Sequence, residues 1–77
     1  MILNNPQELG SAIRAERLRH GVLQKDLAMA AGTGLRFIVD LEKGKPTCHL
    51  GKTFQVMQAL GMRLSLQSQT EPDQGKR

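Results

Sequence analysis

Few side chains in this 77-residue sequence could do covalent or metal chemistry. Cys48 stands alone, so neither an intramolecular disulfide nor a cysteine-built zinc site is available. His20 and His49 have no carboxylate or cysteine at a spacing that suggests a ligand set or a catalytic pair, and both read as structural or surface residues. With no nucleophile, base or metal set in view, neither an enzyme nor a cofactor is expected. What the sequence offers instead is positive charge. Eleven Lys and Arg face seven Asp and Glu, a net charge of +4, and the pI of 9.9 exceeds the guide value of about 9 for nucleic-acid-binding domains. The last ten residues, SQTEPDQGKR, hold Glu71, Asp73, Lys76 and Arg77 and sum to zero, so the surplus lies in residues 1 to 67. A polyanion is the partner this charge favours, although many soluble domains are as basic.

The element that would position such groups is the stretch from Gln24 to Gly44, QKDLAMAAGTGLRFIVDLEKG. Leu27, Ala28, Ala31, Ile38 and Leu41 recur at helical spacing on either side of Gly32, so two short helices meet with the glycine as their corner. A corner of this size is the helix-turn-helix unit. Any small helical bundle also contains a helix, a glycine and another helix, so the order of the residues carries the distinction.

Around this corner the chain supplies a small all-α bundle. Asn5 before Pro6, with Glu8 three residues on, marks the start of a first helix over about Pro6 to Arg19, with Leu9, Ala12 and Ile13 inward. Arg14, Glu16 and Arg19 face water. The second helix begins at Gln24 behind Leu23, where Ser or Thr would be the usual cap, and the third begins near Gly34 or Leu35, with Thr33 as the alternative cap. Pro46 ends any helix after Lys43, Gly44 and Lys45. A fourth helix spans about Leu50 to Leu60, with Leu50, Phe54, Met57 and Leu60 as its core stripe and Gly61 past its end.

Met62, Leu64 and Leu66 then alternate with Arg63, Ser65 and Gln67, a strand pattern. A lone strand among helices has no partner, and its unpaired backbone groups are costly. Pairing with the same strand of a second chain solves this and makes a homodimer part of the fold; the rival reading is a frayed apolar tail. A dimer also suits a chain whose core is too small to be more than marginally stabilising. Residues 1–67 are read as the helix-turn-helix and dimerisation domain and 68–77 as a flexible polar tail. The N-terminus MILNNPQELG has no basic run followed by an apolar one, and no apolar stretch nears the roughly 20 residues that span a bilayer, so a cytoplasmic protein is expected.

Gln24 opening a helix, Ala28 four residues on, Ala31 and Gly32 at the turn, and Ile38 ahead of Leu41-Glu42-Lys43-Gly44 form a series that resembles the phage-repressor-like, or Xre, helix-turn-helix family. Four to five repressor-type helices followed at once by a strand, with the run Cys48 to Leu66, look like the HipB-like antitoxins of that family, autorepressors of HipA-type toxin modules. The match covers about residues 9 to 66.

The resemblance implies a largely buried ion pair between Glu42 and Arg17, which taken alone reads as a solvated arginine, and a DNA-phosphate contact from Gln24, which could otherwise be a simple exposed polar residue. It implies a reading surface of Leu35, Arg36, Phe37, Val39 and Asp40 on a third helix laid in the major groove. Arg36 is the foremost candidate there, because its fork can grip guanine O6 and N7 together. Leu35 and Phe37 could touch thymine methyl groups or fold back onto the second helix. Lys43 and Lys45 suit phosphate clamping. The implied partners are a double-stranded operator with an inverted repeat, a second copy of the chain and a HipA-like kinase toxin. The short polar tail lacks the aromatic end sought in a toxin-docking segment, which leaves a protein-interaction adaptor as the other reading.

Overall fold

The computed structural model describes residues 2–68, so the tail expected over 68–77 lies, but for Ser68, outside the described residues. Four helices follow in order, α1 (Pro6–Arg19), α2 (Gln24–Ala31), α3 (Leu35–Lys43) and α4 (Leu50–Ala59). Among the described residues there is no strand.

Each helix begins for a local reason. Asn5 caps α1, its side chain accepting the Glu8 N–H at 2.8 Å, and Pro6 takes the position where a missing N–H costs nothing. The Glu8 carboxylate reaches back to the Asn4 N–H at 2.6 Å, one residue short of a closed capping box. Leu23 and Gly34 precede α2 and α3 with no side-chain cap. Thr33 does not replace Gly34 as a cap, because its hydroxyl donates to the Gly34 carbonyl at 3.4 Å instead. His49 caps α4, its Nδ1 accepting the Lys52 N–H at 3.2 Å.

Gly32 forms the corner between α2 and α3 with φ +74°, a left-handed conformation that costs glycine nothing. The core gathers Ile13 from α1, Leu27, Ala28 and Ala31 from α2, Ile38 and Leu41 from α3, and Val56, Met57 and Leu60 from the fourth helix and its end. α3 packs against both α1 and α2, and α2 against α4. Leu9, Phe37, Cys48 and Met62 pack around this centre half-buried.

The fourth helix corrects the expected core stripe. Met57 and Leu60 are buried, but Leu50 is 68% and Phe54 38% exposed, and Thr53 and Val56 take the inward positions. Counting large apolar residues rotates the stripe because it treats Thr53 as polar. In the fold its hydroxyl donates to the His49 carbonyl at 2.9 Å, so it is buried without an unmet hydrogen bond.

α1 crosses the end of α3 at a separation that side chains would prevent. A Cβ on Gly10 would lie 2.3 Å from the Leu41 carbonyl oxygen and 2.8 Å from that of Glu42, both rigid backbone atoms. Gly44, at φ +87°, abuts Gln7 in the same way. This contact brings Arg17 and Glu42 into reach of one another.

Candidate nucleic-acid interface

Arg17 and Glu42 are joined in the interior by a two-pronged ion pair. Arg17 Nε donates to Glu42 Oε2 at 2.7 Å and Nη2 to Oε1 at 3.1 Å, with the two side chains 8% and 3% exposed. The remaining nitrogen, Nη1, donates to the Val22 carbonyl at 2.8 Å. Gln24 adds a third donor to the carboxylate, Nε2 to Oε1 at 3.1 Å. One carboxylate at the end of α3 thus ties the last turn of α1 to the first residue of α2, and Arg17 carries the tie on to the loop before α2. No buried side-chain nitrogen or oxygen of the described residues lacks a partner. The angle of the helix-turn-helix is fixed from behind by charge-assisted bonds.

Gln24, expected at a phosphate, donates an amide N–H to Glu42. It is half-buried, and its amide is turned inward onto Glu42.

The residues expected on the reading surface of α3 divide. Leu35 is 49% exposed and the Arg36 side chain 86%. Phe37 belongs to the core side: it is half-buried against the central cluster, and the Lys52 ammonium lies 5.9 Å from its ring centre. Its place one residue before fully buried Ile38 and four before Leu41 puts it on the flank of the buried stripe, so it is not on the open face with Arg36. Val39 and Asp40 are half-buried.

Asp40 is already paired, Oδ1 with Arg36 Nε at 3.3 Å and Oδ2 with Lys45 Nζ at 3.7 Å. Lys45 reaches it because Gly44 turns the chain back, and the Lys45 N–H donates to the Asp40 carbonyl at 3.0 Å. Lys43 is exposed. Lys52, which has no counterpart among the residues expected from sequence, joins these cations only through its seat above Phe37; a single lysine in the first turn of α4 gives no local signal of that.

Two other titratable sites remain, Cys48 near Asp40 and Lys45 and His20 on α1. Burial pushes the Cys48 thiol up, with Asp40 adding to this and Lys45 opposing it, so the reactive thiolate is disfavoured. His20 makes a surface contact along α1: its Nε2 lies 3.2 Å from Glu16, four residues back, and Arg19 holds the same carboxylate at 2.6 Å. The spacing is the ordinary i, i+4 contact along one helix, which a search for ligand sets passes by. Among the described residues no three His, Cys, Asp or Glu side chains cluster as a metal site, and no helix is long and apolar enough to cross a membrane.

No family model matches the chain. It is 45% identical over 64 residues to the uncharacterized HTH-type transcriptional regulator y4mF of Sinorhizobium fredii (strain NBRC 101917 / NGR234), a match that covers 83% of this chain and 84% of that protein. Its backbone superposes on a HipB-O4 20mer complex and on a HipA-HipB-O2-O3 complex with a TM-score of 0.83 in each case. Identity to each is 23%, over 91% of this chain and 99% of the other. At that identity the likeness establishes a common fold, that of HipB. The 45% identity goes further: the chain belongs to the helix-turn-helix type of transcriptional regulators.

Proposed function

We propose that the protein is a sequence-specific DNA-binding repressor of the HipB-like antitoxin kind, acting as a homodimer on an inverted-repeat operator and regulating its own operon. The observation that carries this reading is the contrast across α3: Ile38, Leu41 and Glu42 are buried, whereas Arg36, Lys43 and Lys45 are held in water on a corner braced from behind by Arg17. In this reading α3 enters the major groove, Arg36 reads bases with Leu35, Val39 and Asp40 around it, and Lys43 and Lys45 fix register on phosphates. Gln24, bound to Glu42, orients the N-terminus of α2, whose backbone N–H groups meet a phosphate.

Residues 1–67 form the functional unit in this proposal, and Met62, Leu64 and Leu66 pair with their copies. Support comes from the exposed apolar surface here, where Leu64 is 47% and Leu66 85% exposed beside half-exposed Phe54. Two units joined by that strand would address grooves about 34 Å apart. A HipA-like kinase is the proposed protein partner, from the HipA-HipB-O2-O3 complex among the structural neighbours. The adaptor alternative would use Leu35 and Phe37 as an apolar patch, and it is weakened by the packing of Phe37 against the core.

The test is a titration of a palindromic duplex from the upstream region of the gene, at two salt concentrations, with random duplex as competitor. Specific, salt-weakened binding at one dimer per site is expected. Lys43→Ala should weaken all duplexes alike and flatten the salt dependence, whereas Arg36→Ala should relax specificity at a cost of about 1–3 kcal/mol on the preferred sequence. Equal weak binding to both duplexes would overturn the repressor reading.

A further inference from the structure

We propose that Asp40 is a positioning residue that sets specificity, by holding Arg36 and Lys45 on one carboxylate and so denying both to phosphates of unselected DNA. This rests on the DNA-binding reading above. Asp40 follows Arg36 by one helical turn, and its side chain is 21% exposed beneath an arginine at 86% and a lysine at 53%. Its two oxygens face different cations, Oδ1 the Arg36 Nε at 3.3 Å and Oδ2 the Lys45 Nζ at 3.7 Å. The backbone is folded to make this possible, since the Asp40 carbonyl accepts the Lys45 N–H and brings the loop back over the helix.

Pairs this exposed are weak, so the cluster biases where the two cations rest rather than locking them there. Arg36 approaches Asp40 from Nε, on the stem side of the guanidinium, and its side chain is 86% exposed, so its planar fork can turn to a base edge. Affinity for DNA of any sequence depends on cations free to neutralise phosphates. Here two of the three cations on α3 and the loop after it are claimed by a carboxylate, which itself repels a phosphate. A duplex that offers Arg36 a matching base edge leaves the cluster intact, whereas a mismatched one draws the cations onto its phosphates only by breaking it. Specificity of this kind comes from a repulsive element placed against the wrong partner.

The experiment selects duplexes from a randomised 30-base-pair pool with the full-length protein. It then compares wild type, Asp40→Asn and Asp40→Ala on the selected duplex and on a mixed-sequence duplex across a salt series. Both variants should bind the mixed-sequence duplex more tightly, by about fivefold at 0.15 M salt for each additional phosphate neutralised, with the salt slope steeper by about 0.9 per phosphate. The selected duplex should change less, so the ratio between the two falls. In an Arg36→Ala, Lys45→Ala background the same substitutions should leave the ratio where it was.

An unchanged ratio overturns the proposal. So does a loss confined to the selected duplex, which would make Asp40 a direct reader of a base, accepting from cytosine N4. A wild-type protein that enriches no duplex would instead overturn the DNA-binding reading itself. Thermal unfolding of each variant should match wild type, which separates positioning from a fold defect.

Discussion

The seam between α1 and α3 and the surface that runs from α4 into residues 62–68 stand at opposite ends of self-sufficiency. At the seam, Gly10 lets backbone approach backbone, and Arg17, Gln24 and Glu42 satisfy one another in a dry interior. At the other end, Leu50, Phe54, Leu64 and Leu66 are left partly or largely in water. A groove of about 460 Å³ lined by Phe54, Met57, Met62 and Leu64 opens between the helix and the segment after it. The first region is complete within the described residues; the second has apolar surface that the described residues leave uncovered. The helix-turn-helix is therefore braced by contacts within the described chain, while the apolar end is where the proposed pairing would bury surface.

The largest expected effect tests the closed region. Glu42→Ala removes the acceptor of three donors and leaves the Arg17 guanidinium buried without a counter-charge, a loss of about 3–5 kcal/mol. Urea unfolding should show a collapse of the midpoint. Replacing both partners at once, Arg17→Met with Glu42→Leu, should recover much of the loss, because no charge is then stranded. A mild effect of Glu42→Ala would mean that water reaches the pair and that the seam is not closed.

A smaller effect tests the open region. Leu64→Ala and Leu66→Ala should cost a lone chain little, as both side chains are exposed in it. If two chains pair there, each substitution removes about 1.5–3 kcal/mol of apolar burial from the assembly. Sedimentation should then show dissociation, and the concentration dependence of the melting temperature should fade. A sedimentation profile that stays at the mass of one chain for wild type and variants alike would sink the proposed pairing.

The same two regions explain what could be read from sequence. The helices were legible because their signals are local: Asn5 with Pro6 and Glu8, the periodicity of Leu27, Ala28 and Ala31, the glycines at 32 and 44. The approach of Arg17 to Glu42, 25 residues apart, came only from family resemblance. Gly10 carried no signal, since a glycine inside a helix looks like a mild weakness until α3 is known to press on it. On α4 the period was legible but the phase was not, because Thr53 hides its hydroxyl in a hydrogen bond to His49. On α3 the turn of Asp40 onto Arg36 and Lys45 depends on where Gly44 sends the chain.

The smallest expected effect lies next to the buried pair on the same helix. Glu16, one residue before Arg17, takes bonds from Arg19 at 2.6 and 3.2 Å and a contact from His20, but on the solvent side of α1. Hydrogen bonding from Arg19 holds its carboxyl below the ordinary value of 4.5, against a weaker opposing effect of burial. A depressed carboxylate stabilises the fold above its unfolded pKa, and that contribution is lost as pH falls through the lower folded value. Glu16→Gln should therefore melt slightly below wild type at neutral pH, and the gap should close on acidification through and below pH 4.5. Added salt should shrink it too, since water screens this group. The contrast with Glu42 is the point of the measurement: adjacent arginine pairs on α1 should differ severalfold in effect because one is dry and the other is not. A gap at neutral pH as large as that of Glu42→Ala would mean that burial is not what separates the two regions.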